Sequence, residues 1–85
     1  MSPLPYDRLR SSLTTRKLIS ALLRDGFEHK STTGSHRKYV HPDGRRVTVT
    51  YHSSGSTFTM RTLRSMLELQ ARWTENDLNR LILIK

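Results

Sequence analysis

FEHKSTTGSHRKYVHPDGRRVTVTY, residues 27–51, decides the architecture, because it carries three short strand patterns separated by two turns. From Arg46 to Tyr51, Val47, Val49 and Tyr51 alternate with Arg46, Thr48 and Thr50, the period of two of a strand with one buried face. Pro42-Asp43-Gly44 before it is a hairpin turn, and His36 to His41 is the preceding strand. Thr33-Gly34-Ser35 is a second turn, and Phe27 opens a first strand that runs to about Thr32. Turns this short pair consecutive strands antiparallel.

Helical patterns flank this segment. On its N-terminal side Leu18, Ile19, Leu22 and Leu23 form one apolar stripe, with Thr14 or Thr15 as cap and Asp25-Gly26 as the stop. On its C-terminal side Thr57 or Thr59 can cap a second helix whose inner side holds Met60, Leu63, Met66, Leu67 and Leu69 or Gln70. Thr74-Glu75-Asn76-Asp77 resembles a capping box for a short last helix carrying Leu78, Leu81 and Ile82. The expectation is an α+β fold of order α-β-β-β-α, an antiparallel three-stranded sheet with both main helices on one face and a short extra C-terminal helix. Residues 14–85 form the single domain in this reading. Residues 1–13, with two prolines and three serines, form an N-terminal arm. Tyr6, Leu9 and Leu13 have helical spacing, so the arm reads either as a disordered terminus or as a segment folded onto the domain.

The chain has 85 residues, and a chain of that length buries only about 60% of its unfolded surface, so chemistry belongs in a surface groove. Fifteen Lys and Arg against seven Asp and Glu give a net charge of +8. Arginines outnumber lysines, and guanidinium forks match phosphate oxygens. A polyanionic partner follows: nucleic acid, an acidic protein or an anionic surface. The absence of cysteine excludes disulfides, thiolate metal sites and a thiol nucleophile. No apolar run reaches the ~20 residues of a membrane span, and the N-terminus lacks a signal-peptide core, so a cytoplasmic protein is expected.

Gly34-Ser35-His36-Arg37-Lys38-Tyr39 is the segment richest in chemistry. Glycine lets the backbone turn and approach a ligand, Ser35 offers a hydroxyl, and His36 stands beside two cations. RNA cleavage needs a base for the 2′-hydroxyl proton, an acid for the departing 5′-oxygen and positive groups around the phosphorane. Histidine suits proton transfer at neutral pH. Arg37 and Lys38 are candidates for holding phosphate. Strand alternation puts them on opposite faces and favours Lys38 as the neighbour of His36. Residue types alone leave two readings of His36, a catalytic imidazole or a polar residue beside a turn.

From about Thr15 to Asp77 the chain resembles the HicA toxins, the YcfA-like family of messenger-RNA interferases. The resemblance rests on Lys17-Leu18-Ile19 with Leu22-Leu23 and Asp25-Gly26-Phe27, then Gly34-Ser35-His36, then His41-Pro42-Asp43-Gly44, then Val47-Thr48-Val49 leading to His52, then Thr62-Leu63-Arg64-Ser65-Met66-Leu67. It implies a double-stranded-RNA-binding-domain-like fold, a metal-independent ribonuclease that cuts messenger RNA, and His36 as the essential residue. It also implies a HicB-type antitoxin as partner, and no cofactor.

Around His36, the supporting residues are Gly34, Ser35, Lys38, Arg37 and His52. For His52 two roles stand open, a second catalyst or a strand-end residue that hydrogen-bonds the following loop. Arg45, Arg46, Arg61 and Arg64 are candidates for the RNA backbone, or for acidic antitoxin residues. His29 and His41 are expected on exposed strand positions, and no histidine pair has the close spacing of a zinc-binding motif. Tyr51 alternates with Val47 and Val49 and is expected in the core, and Trp73 is expected to pack the last helix against the domain. The main rival is a non-catalytic double-stranded RNA-binding module, which gives no reason for histidine at 36 and would carry a lysine-rich start to its last main helix. A DNA regulator, the other rival, would present an exposed recognition helix.

Overall fold

The computed structural model describes residues 4–81. α1 (Tyr6–Ser12) follows Pro5 and places Tyr6 and Leu9 in the core, joined by Leu4 and Leu13 on either side. α2 (Thr15–Arg24) begins at Thr14, whose hydroxyl accepts from the Lys17 amide. Its buried face is Thr15, Leu18, Ala21 and Leu22, with Ile19 partly buried. Leu23, expected in that stripe, is 52% exposed. Thr15, Leu18 and Leu22 follow the i, i+3, i+4 rule, and that phase turns residue 23 away. The helix ends as expected at Gly26, φ +105°, with the Gly26 amide on the Leu23 carbonyl and the Phe27 amide on that of Leu22.

β1 (Glu28–Thr33), β2 (His36–Val40) and β3 (Arg46–Thr50) form one antiparallel sheet in the order β1-β2-β3. Phe27 precedes the first strand and is buried. The β1–β2 register slips between His29 and Ser31, so Lys30 is the extra residue of a bulge. Tyr39, Val47 and Val49 face the helices, whereas no β1 residue is buried.

α3 (Met60–Arg64), capped by Thr59, continues into a π-helical stretch, Ser65–Gln70. Leu63, Met66 and Leu67 point inward. Met60, expected on the inner side, is 42% exposed, and of the two alternatives Leu69 and Gln70 it is Leu69 that is exposed, at 72%. In the wider turn the Ala71 amide reaches back five residues to Met66, and Gln70 rather than Leu69 comes round to the sheet. The Gln70 Oε1 accepts from the Thr48 amide at 2.8 Å, which covers part of the β3 edge. Arg72 adopts a left-handed φ of 57°, and the Trp73 amide then bonds the Leu67 carbonyl. α4 (Glu75–Arg80) carries the capping box between Thr74 and Asp77. Leu78 and Leu81 are buried, and Ile82 lies outside the described residues.

One buried acid ties these layers together. Asp25 accepts from Trp73 Nε1 (2.9 Å), Arg80 Nη2 (2.6 Å) and Arg45 Nη2 (3.3 Å). Arg45 also donates to Asp43 Oδ2 and to the Ala71 carbonyl, with its guanidinium over the Phe27 ring. Burial alone would raise the Asp25 carboxyl; hydrogen bonds from Trp73 and Arg80 and the charges of Arg45 and Arg80 hold it below its ordinary range.

Candidate functional site

Paired residues of an antiparallel sheet share a face, so the register assigns every strand side chain. Arg37 with Val49 and Tyr39 with Val47 form the inner face, where Tyr39 and both valines are buried. The opposite face holds three rows: Thr33, His36 and Thr50; Ser31, Lys38 and Thr48; Glu28, Val40 and Arg46. All are exposed except Thr50 and Val40, which are half-buried.

His36 is the first residue of β2, directly after the turn containing Gly34. Gly34 has a φ of +58°, and a Cβ there would meet nothing within 4 Å. The turn is therefore glycine for its backbone conformation, and it stands open to an incoming ligand. The Ser35 carbonyl accepts from the Tyr51 amide at 2.6 Å and extends the pairing past the strand ends. Among the described residues, the side chains of His36, Lys38 and Arg46 make no hydrogen bond or ion pair. A base, a cation and hydroxyl groups are thus collected on one wet face with no internal partner to satisfy.

The other candidates are distributed differently. Arg37 lies on the inner face with its guanidinium stacked 3.8 Å over the Tyr51 ring. Tyr51, expected in the core, is half-buried beneath it. His52 follows Tyr51 and opens onto a groove of about 280 Å³ shared with Thr50, Phe58, Thr59 and Thr62. Thr50 pairs with His36 across the sheet and so links the two histidines. Arg45 is committed to Asp25, Asp43 and the Ala71 carbonyl. Arg61 and Arg64 belong to α3, in the helix layer across the sheet from His36, and Arg64 Nε lies 3.9 Å from Glu68. His29 is exposed, with its ring near Tyr39. His41, expected to be exposed, is instead half-buried edge-on against Phe27, with Nε2 2.9 Å from the Asp25 carbonyl. Its place one residue beyond β2 folds it back toward the end of α2.

Two features escaped sequence reasoning. The Thr15 and Arg16 amides, at the start of α2, donate to the carbonyls of Ser56 and Ser54, which pins the loop after His52. The hydroxyls beside His36 and Lys38 were visible as the polar half of the Thr48 and Thr50 alternation, but not as neighbours of these two residues. Among the described residues, no group of three or more His, Asp or Glu side chains is placed to hold a metal ion. No described helix is long and apolar enough to cross a membrane.

A family model described as the HicA toxin of bacterial toxin–antitoxin systems matches residues 15–71, from the first residue of α2 to the end of the π-helical stretch and the residue after it. Among curated proteins, none matches the chain. The match takes in the whole sheet, the Gly34 turn and His36, and leaves α1 and α4 outside it. With about two thirds of its length accounted for in this way, the chain belongs to the HicA toxin family.

Proposed function

We propose that this toxin is a metal-independent endoribonuclease that cleaves messenger RNA, with His36 as the proton-transferring residue. The observation that carries the reading is the exposed, unpartnered His36 at the mouth of the Gly34 turn, one row from Lys38 on the open face. In the reaction the 2′-oxygen of a ribose loses its proton and attacks the adjacent phosphorus. The P–O5′ bond then breaks and the 5′-oxygen takes a proton, leaving a 2′,3′-cyclic phosphate and a 5′-hydroxyl. An imidazole can serve either transfer, since histidine exchanges protons near neutral pH. Lys38 supplies fixed positive charge for the phosphorane, and Ser35 and Gly34 border the same position.

The partner would be a HicB-type antitoxin, and a cationic face of this kind suits an inhibitor carrying acidic groups. Action on messenger RNA places the protein in the cytoplasm. The test is incubation of an end-labelled RNA with wild type and His36→Ala in EDTA, with analysis of the new ends. Cyclic-phosphate and 5′-hydroxyl ends that vanish in the variant are expected. Folded wild type that binds RNA tightly yet leaves it intact would instead support the non-catalytic double-stranded RNA-binding module.

A further inference from the structure

We propose that the substrate is taken as a single strand laid along β2 on the sheet's open face, with successive phosphates at His36, Lys38 and Arg46. This rests on the ribonuclease reading and adds the form of the substrate and the residues that hold it. The three rows of the open face each contain one basic side chain: His36, then Lys38, then Arg46. One row to the next is a two-residue step, about 6.6–6.8 Å along a strand. That step is comparable to the spacing of successive phosphates on a single strand.

Hydroxyl groups flank the first two of these side chains, Thr33 and Thr50 beside His36, and Ser31 and Thr48 beside Lys38. These groups can bond phosphate oxygens and ribose hydroxyls without reading the base. The only acid of the nine residues is Glu28, at the β1 end of the Arg46 row. Strands of five or six residues span about 17–20 Å, enough for three phosphates but short of the ~16 base pairs over which duplex RNA is recognised by shape. None of the nine is Phe, Tyr or Trp, so beyond the single imidazole of His36 the face offers successive bases no stacking platform. It therefore grips the backbone and discriminates weakly between bases. Arg61 and Arg64, on α3, are not among the nine residues of this track.

The experiment is fluorescence anisotropy of a labelled, uncleavable 2′-O-methyl RNA 12-mer, single-stranded and as a duplex, at several salt concentrations. It compares wild type, Lys38→Ala, Arg46→Ala and the pair with the helix-face pair Arg61→Ala/Arg64→Ala. Each lost phosphate contact should lower the slope of log affinity against log salt by about 0.7, so the open-face pair should lose about 1.4. The helix-face pair should keep the wild-type slope, and Thr48→Glu should weaken binding without removing a cation. All these positions are exposed, and melting temperatures should match wild type. An unchanged slope in the open-face pair, a slope lost in the helix-face pair, or preference for the duplex would overturn the track. So would open-face variants that lose the antitoxin while keeping RNA. Because this readout needs no cleavage, a protein that binds along the track but does not cut would sink the nuclease reading and leave the track standing.

Discussion

At the β2–β3 turn, Asp25, His41 and Arg45 are each bound to other parts of the chain, whereas at the β1–β2 turn His36 and Lys38 meet no side-chain partner. Both ends belong to the same small sheet and both are rich in polar residues. The Asp25 carboxylate is 7% exposed and has three donors, so its charge is compensated inside the fold. The His36 end has the same kinds of groups with their hydrogen-bonding capacity unspent. In a protein with so thin a core, polar groups that hold the fold are paired. Unpaired ones collected on one face are available to a ligand. Basic composition alone does not separate these two uses, as Arg45 and Arg46 show: neighbours in sequence, one is locked inside and the other faces solvent.

The widest separation of the two ends should come from His36→Ala. Cleavage should fall by about 10²–10⁴-fold while the melting temperature stays at the wild-type value. A variant that lost both together would make His36 part of the framework. Asp25→Ala is the converse. It strands buried donors on Arg45 and Trp73 and should cost about 3 kcal/mol in urea unfolding, with cleavage per folded molecule unchanged.

Two glycines sharpen the same contrast. A Cβ at Gly26 would lie 2.9 Å from His41 Nε2 on a φ of +105°, so Gly26→Ala should destabilise by about 2 kcal/mol. At Gly34 there is open space, and only the positive φ opposes a side chain. Gly34→Ala should therefore cost about 1 kcal/mol, and any larger effect should appear in cleavage rather than in unfolding. Stability that tracked the two substitutions equally would erase the distinction between the ends.

The smallest effect is acid. The Asp25 carboxyl is held below its usual value in the fold, so its contribution is complete above the ordinary carboxylate value of about 3.9 and is lost as pH falls through the lower, folded value. Melting temperatures measured from pH 6 downward should decline below about pH 4, and Asp25→Asn should flatten that decline. A profile identical in Asp25→Asn would place the acid sensitivity elsewhere, with Asp77 the next group to examine, since its carboxyl is lowered too.

The strands and their turns were legible because their signals are local. Val47 and Val49 alternate with threonines, Gly34 and Gly44 take positive φ, and Thr14, Thr59 and Thr74 each cap the helix expected of them. The helix faces were read less well where a tertiary partner set the phase. Leu23 lost its place to Ala21 and Thr15, whose amide docks on the Ser56 carbonyl. Between Leu69 and Gln70, which the sequence left open, the fold chose Gln70, because the π-helical turn carries one extra residue and Gln70 has an unpaired strand amide to reach. In the candidate site, alternation already set Lys38 rather than Arg37 beside His36, and the register agrees.

By itself the sequence determined the order of elements from α2 onward, the turn positions and the place of His36 at the start of a strand directly after the Gly34-Ser35 turn, since these depend on φ preferences, capping and periodicity within a few residues. Only the tertiary structure decided which arginines remain available. Arg45 closes on Asp25 twenty residues away, and Arg37 stacks on Tyr51 from the neighbouring strand. Arg46 is left to join His36 and Lys38 across two strands. The reason is that a guanidinium is identical in every local context, and what it does depends on the carboxylate, ring or open water that folding brings to it.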